Sequence, residues 1–272
     1  MKLSAVHIRK FRLMIFRWWK ANKRDLPWRH TSDPYRIIVS EIMLQQTQVT
    51  RVIPKYTEFL HMYPTVQDLA RSDTASVLRV WKGMGYNRRA LYLHRMAQII
   101  ADTYNGIFPD SEGLLVKLPG LGTYTARALL VFAFRKDVAC VDTNIRKIIT
   151  HYFFNDKHQS STIIQSTADL LVPKGKSWEW HQALMDYGSA HTKELRIRNY
   201  ELGIKKIPFK KTNRFIRGRI IDLLREQRYP MSQLITKLIS LHGRDKEYYD
   251  MCLTGLEADG LVKREKNTVS LP

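Results

Sequence analysis

Cysteine is nearly absent from this chain of 272 residues: Cys140 and Cys252 are the only two. That excludes a disulfide scaffold and fits a reducing compartment. Acidic residues are also scarce, 25 against 45 lysines and arginines, which leaves a formal charge of +20. Long apolar runs are missing too. The run Leu13-Met14-Ile15-Phe16 near the basic N-terminus is too short for a signal or membrane segment. No stretch is low-complexity, and no sustained alternation of apolar and polar residues marks a strand in the first two hundred positions.

What is present points to a folded, helical protein with a polyanionic partner. A hydrophobic content of 44% supports a sizeable core, divided by length into two or three subdomains. The positive excess favours nucleic acid over a membrane surface. Phe11, Met14, Ile15, Trp18 and Trp19 fall on one helical face and predict a docking helix. Helices are predicted over 49–62, 65–70, 73–82 and 87–104. A long apolar helix ends near Phe134, and others span 161–172 and 177–190, the last bearing Trp178, Trp180, Gln182 and Asp186.

One segment breaks the apolar pattern. Ile37-Ile38-Val39-Ser40-Glu41-Ile42-Met43-Leu44 reads as a buried helix, opened by Asp33 as cap and Pro34 at its first position. A carboxylate there is costly to bury unpaired and should have a raised pKa. Gln45, Gln46 and Gln48 follow with uncharged donors and acceptors. Further on, Leu118-Pro119-Gly120-Leu121-Gly122-Thr123-Tyr124 forms a tight hairpin before a helix, whose free N–H groups suit a phosphate. Asp142 precedes Thr143-Asn144-Ile145 as an expected N-cap.

From Lys193 to Arg219, ten lysines and arginines face two glutamates, and Pro208 interrupts the segment. This reads as a basic connector. Helices follow at 213–227, 231–241 and 245–259, and then a short hairpin pairs Leu261-Val262-Lys263 with Thr268-Val269-Ser270-Leu271. Three helices and a hairpin suggest a winged-helix module. The expected division is 1–192, a helical body; 193–212, the connector; and 213–272, the winged module.

Seven segments together resemble the helix-hairpin-helix DNA glycosylase superfamily, and within it the MutY adenine glycosylases. They are Pro27-Trp28-Arg29, Asp33-Pro34-Tyr35, Ser40 through Val49, Trp81 through Tyr86, Leu118 through Ala126, Val141 through Asn144, and Gln182 through Gly188. They span roughly residues 8–190 in family order. The resemblance implies an all-α fold of two helical subdomains around a DNA cleft, with the target nucleotide flipped out of the stack. It implies that Glu41 protonates the departing base and handles the incoming water. Asp142 would stabilise the oxocarbenium-like sugar, with Tyr124 and Asn144 in support. Trp28, Arg29 and Gln182 would line the base pocket. Gln46 and Tyr86 would wedge into the stack near the opposite base, Gly120 and Gly122 would hold a backbone phosphate, and Gln45, Gln48, Arg88 and Thr123 would also contact DNA. Relatives resembling endonuclease III carry a lysine at the Tyr124 position. A phenol forms no Schiff base, so a monofunctional enzyme is expected.

Two departures stand out. The family's four cluster-binding cysteines after the Gln182 helix are replaced by Ala190-His191-Thr192-Lys193-Glu194-Leu195. Two cysteines cannot supply Cys₄ ligation, so no iron–sulfur cluster is expected, although a monovalent cation at the hairpin is compatible with the family. Packing through Leu195, Ile197, Tyr200 and Leu202 is expected in the cluster's place. The MutY domain that senses 8-oxoguanine is also replaced, by the winged-helix-like segment.

The expected activity is therefore excision of a mispaired base, adenine opposite 8-oxoguanine or guanine, from double-stranded DNA. The alternatives are a thymine or uracil mismatch glycosylase of the same superfamily and a non-enzymatic DNA-binding protein. The Ser40–Val49 block favours the first, and the joint presence of Glu41, Tyr124, Asp142 and Asn144 disfavours the last. A monomer acting with the DNA is expected, without membrane contact, in the cytoplasm and nucleoid if the source is a prokaryote.

Overall fold

The structure is a computed structural model that describes residues 4–192, 195 and 208–272. Its helical character agrees with the sequence. The chain forms two compact units: Met1–Glu41 with Pro109–Ile204, and Ile42–Phe108 with Lys205–Pro272. Ile197, Tyr200, Leu202 and most of the basic connector lie outside the described residues.

In the first unit, helix Ala5–Asn22 begins at Ser4, whose hydroxyl accepts the His7 N–H at 3.2 Å. Phe11 and Ile15 are buried in a core shared with Ile145, Ile148, Phe153, Trp180 and Leu184. Met14 departs from the expected face and is exposed. At about 100° per residue it lies about 60° from Phe11, on the side away from Ile15. Arg12 holds the end of helix Ser161–Leu171, donating to the carbonyls of Leu170, Leu171 and Val172 at 3.0–3.1 Å. A cation at the carbonyl end of a helix satisfies groups that have no intrahelical partner and suits the dipole.

The short helix Glu112–Leu115, the hairpin, helix Thr123–Phe132, helix Thr143–Phe154 and helix Ser177–Ala190 complete the unit. Beyond the last of these, His191 stacks on Tyr187 with ring centroids 4.0 Å apart, Trp18 sets its edge against both, and Leu195 is buried in the core. Among the described residues after this helix, His191 and Leu195 therefore pack against aromatic and aliphatic neighbours.

The second unit opens with helix Val49–Met62, followed by Val66–Arg71, Thr74–Val80 and Arg88–Tyr104. A capping box of Thr65 and Asp68 starts the second of these, and Asp73 caps the third. The same unit contains the winged module, built from helices Asn213–Glu226, Met231–His242 and Lys246–Ala258. Its sheet has three strands where the sequence suggests two. Tyr229–Pro230 pairs antiparallel with Thr268–Ser270, which also pairs with Lys263–Glu265. A strand of two residues ending in proline offers no periodicity to read.

Several contacts fix this module onto the segment 78–95. Arg225 is buried; its Nε donates to the Leu78 carbonyl and its Nη2 to Asn87 Oδ1, both at 2.8 Å. Lys82 pairs with Glu226 at 2.7 Å, and Arg88 lies 3.7 Å from Asp259. A Cβ at Gly260 would come within 2.8 Å of Arg95 Nη2. Buried guanidinium bonds to neutral acceptors make this attachment geometrically specific.

Candidate active site

Glu41 lies near the end of helix Pro34–Leu44, whose start is fixed by Asp33 Oδ1 accepting the Tyr35 N–H at 2.9 Å. Ile37, Ile38, Val39, Ile42 and Met43 are all buried around it, and Glu41 is itself only 7% exposed. Burial raises its carboxyl to about 7; the hydroxyl of Tyr124, which donates to it, opposes that rise, and the charge of Asp142 adds to it. A carboxyl poised near neutrality is suited to give up a proton and take one back.

Tyr124 is in the first turn of helix Thr123–Phe132, immediately after the hairpin. Burial and the neighbouring Glu41 push its phenol well above the ordinary value, so it remains a hydrogen-bond donor. Gly120 adopts φ 79, which L side chains rarely reach, and Gly122 caps the helix. Gly122 and Thr123 are exposed at that helix start.

Asp142 caps helix Thr143–Phe154: its Oδ1 accepts the Ile145 N–H at 2.7 Å, and Asn144 Nδ2 lies 3.4 Å from its Oδ2. Burial raises its pKa, and the bonds from Ile145 and Asn144 counter this. The capping and chemical readings of Asp142 are therefore compatible, since one oxygen holds the helix and the other does not. Cys140, two residues earlier, is buried, and burial together with the charges of Glu41 and Asp142 keeps its thiol protonated.

Two residues that the sequence reading left without a role position this group. His181 is buried on helix Ser177–Ala190; its Nε2 accepts the Cys140 N–H at 3.1 Å, so its Nδ1 carries the proton and donates to the Ser177 carbonyl at 2.6 Å. Burial lowers its pKa to about 4, and it stays neutral. Gly188, on the same helix, lets it approach Asn144, because a Cβ there would sit 2.7 Å from Asn144 Cβ and 3.2 Å from Ile148 Cδ1. Gly188→Ala is expected to cost about 1–3 kcal/mol by overpacking and to slow base excision, read as a lower melting temperature and a lower single-turnover rate.

Of the expected pocket residues, Trp28 and Gln182 are buried. Arg29 is buried with its terminal nitrogens engaged by Asp186: Nη2 to Oδ1 at 2.7 Å and Nη1 to Oδ2 at 2.9 Å, with Nη1 also donating to the Arg24 carbonyl. Trp19 Nε1 and Arg24 reach the same carboxylate. Burial opposes the Asp186 charge, but the two arginines prevail and hold its pKa below the usual range. Arg29 keeps its buried Nε without a partner. The sequence places Asp186 on its helix but gives it no partner, because those partners lie about 160 residues away in sequence.

The expected DNA-contacting residues of the second unit fall into two turns. Gln46 (φ 53) and Tyr86 (φ 47) both have left-handed backbone, a strained choice for residues with side chains. Gln46 and Gln48 are exposed, whereas Gln45 is half-buried. Arg88 is only half available, given Asp259 and a bond to the Tyr92 hydroxyl. The residue that joins the two turns is Arg89, which has no role in the sequence reading. Its Nη1 donates to the carbonyls of Ile42, Met43 and Gln45, and its Nη2 to those of Met84 and Gly85 and to Thr47 Oγ1. The guanidinium also lies 5.3 Å from the Tyr86 ring centroid. A signal was present, since position 89 shares the helix face of Leu93, Met96 and Ile100, all buried.

A four-thiolate cluster does not fit these residues. Cys140 is buried beside Asp142 in the first unit and Cys252 is buried in the winged module. Among the described residues no group of three or more His, Cys, Asp or Glu side chains could hold a metal ion. The hairpin has no carboxylate, so a monovalent cation there would rest on backbone carbonyls.

The model of the "HhH-GPD superfamily base excision DNA repair protein" matches residues 39–174. The adenine DNA glycosylase of Mycobacterium tuberculosis is 33% identical over 273 residues, covering 91% of this chain and 88% of that protein. The thymine/uracil-DNA glycosylase of Methanothermobacter thermautotrophicus is 30% identical over 197 residues, 71% of this chain and 89% of that protein. Among solved structures, a thermostable thymine-DNA glycosylase superposes with a TM-score of 0.63 at 31% identity, covering 67% of this chain and 86% of that one. The chain belongs to the HhH-GPD superfamily of base excision DNA repair proteins, and within it is a MutY-like DNA glycosylase.

Proposed function

We propose that this glycosylase releases adenine mispaired with 8-oxoguanine or guanine, as a monomer, and leaves the sugar–phosphate strand intact. The observation that supports this most is the grouping of Glu41, Tyr124 and Asp142, one carboxyl held near 7 and a second within its electrostatic reach. Such a pair divides the labour of glycosidic cleavage between a neutral acid and an anion. Glu41 gives its proton to a ring nitrogen of the flipped adenine, and the N-glycosidic bond breaks with its electron pair going to the base. Asp142 Oδ2 faces the resulting cationic sugar, supported by the Asn144 amide. Water then adds to the anomeric carbon and gives its proton to the Glu41 carboxylate, so the acid is regenerated and an abasic sugar remains.

Tyr124 donates to Glu41 and offers no amine, so strand cleavage through a Schiff base has no nucleophile at this position. Trp28 and Gln182 form pocket walls, with Arg29 held rigid by Asp186. Gly120, Gly122 and Thr123 take a phosphate at the helix start, while Gln45, Gln46, Gln48, Tyr86 and Arg88 address the DNA around the vacated position.

A second reading, release of thymine or uracil opposite guanine, draws on the relative from Methanothermobacter thermautotrophicus. Single-turnover assays on duplexes with A opposite 8-oxoguanine, A opposite G, T opposite G and U opposite G separate the two. Adenine release from the first two is the expected result, with strand breaks only after alkali. Faster release of thymine or uracil would replace the leading reading, and breaks without alkali would remove the monofunctional assignment.

A further inference from the structure

Tyr86 does not stand alone. Arg214, from helix Asn213–Glu226 of the winged module, places its guanidinium 4.8 Å from the Tyr86 ring centroid and donates to the Tyr86 hydroxyl. The same guanidinium lies 4.9 Å from the ring of Phe209. Phe209 is 52% exposed and Tyr86 38%. A planar cation set against two partly exposed aromatic rings presents hydrogen-bond donors beside stacking area for an unstacked base.

The charge on Arg214 is unspent, unlike that of its neighbours. Arg217 bonds Asp259, Arg219 and Arg225 both pair with Asp222, Lys82 pairs with Glu226, and Arg88 approaches Asp259. Among the described residues no carboxylate pairs with Arg214. The third helix of the module, the one that enters the groove in helix-turn-helix proteins, is acidic here: Glu247, Asp250 and Glu257 face a single lysine, Lys246. It would repel a duplex. A positive, aromatic patch lies where the module begins, at Phe209 and Arg214, and the Arg225 anchor holds the module against the Tyr86 turn.

We propose that Arg214 is the specificity-determining residue for the base opposite the excised one, and that it selects a guanine-type base. Its ligand is the orphaned purine of the complementary strand. Phe209 supplies stacking area, the Tyr86 ring, which carries Arg89 as well as Arg214, holds the guanidinium in place, and the guanidinium donates to the O6 acceptor that guanine and 8-oxoguanine share and adenine lacks. This assignment rests on the reading that the chain excises a base from duplex DNA.

The test measures binding of the full chain to duplexes carrying a tetrahydrofuran abasic analogue opposite G, opposite A, or opposite a second abasic analogue. The wild type should prefer G. Arg214→Ala should bind the G duplex about tenfold more weakly, lose the preference, and match the wild type on the doubly abasic duplex, with an unchanged melting temperature. Arg214→Lys should keep the salt dependence of binding but lose the preference, because an ammonium is a point charge without a stacking plane. Equal weakening on all three duplexes, with or without a fall in melting temperature, overturns the proposal by making Arg214 a phosphate or structural contact. A wild type indifferent to the opposite base, or an Arg214→Lys variant that retains the preference, also overturns it. Failure of the wild type to release adenine from any mismatch would sink the adenine reading instead, because the abasic duplexes require no excision.

Discussion

Glu41→Gln is expected to lose base excision by a factor of about 10²–10⁴ or more, to keep duplex binding, and to melt higher than the wild type at alkaline pH. The first two outcomes follow from removing a proton donor without changing its shape. The third follows from linkage. The Glu41 carboxyl is raised from 4.5 to about 7, first by burial, so the folded protein holds this proton more tightly than the unfolded chain does. Its contribution to stability is complete below about 4.5 and is lost as pH rises through about 7. At pH 8 the wild type should be less stable by roughly 3 kcal/mol on this account, at about 1.4 kcal/mol for each unit. Glutamine has no such dependence, so the two proteins should converge near pH 4.5 and diverge above it. Wild-type excision should decline over the same interval as the acid ionises. Melting curves at pH 4.5, 6 and 8, with single-turnover rates across the upper two, check both outcomes. Near-normal excision by the variant would remove Glu41 from the mechanism, and a stability gain independent of pH would remove the buried carboxyl as its source.

Asp142→Asn should lose a factor of about 10²–10³ in single-turnover rate while melting close to the wild type. Asparagine is as good an N-cap as aspartate, so the bond to the Ile145 N–H survives and helix Thr143–Phe154 stays anchored. What disappears is the negative charge that the proposed mechanism sets against the cationic sugar. The group is already held above its ordinary pKa, burial being the main cause, so removing its charge should not unfold the site. Asp142→Ala removes charge and cap together and should cost about 1 kcal/mol more in stability. If the activities of the two variants followed their melting temperatures instead, Asp142 would be a cap and nothing else.

The helical fold and its helices were legible because their signals are local. Asp33 before Pro34, Asp142 before an apolar helix and the Gly120 hairpin each fix a helix end within a few residues. Glu41 was legible because a carboxylate in an apolar run is an anomaly that needs no structure to notice. Residues whose partners are remote in sequence were not. Asp186 reads as an ordinary aspartate until Trp19, Arg24 and Arg29 are seen to converge on it from the other end of the chain. Gly188 reads as a tolerated helical glycine until the close approach of Asn144 is measured. Arg88 and Arg89 look like one basic pair, yet one lies on the exposed face of its helix and the other on the buried face. The strand Tyr229–Pro230 owes its pairing to a hairpin some forty residues later, which no window of local sequence contains.

Arg89 also limits how this scaffold can be re-engineered. Its six acceptors are split between residues 42–47 and residues 84–85, so two turns distant in sequence share one cation as their common fastener. All but one of the acceptors are main-chain carbonyls, which read backbone path and not side-chain identity. These main-chain bonds therefore do not depend on which side chains stand at Gln46 and Tyr86, as long as each turn keeps its left-handed step. A transplant that alters the path of either turn would strand a buried guanidinium and disturb the other turn as well. For loop grafting, the two turns and Arg89 are a single heritable cassette.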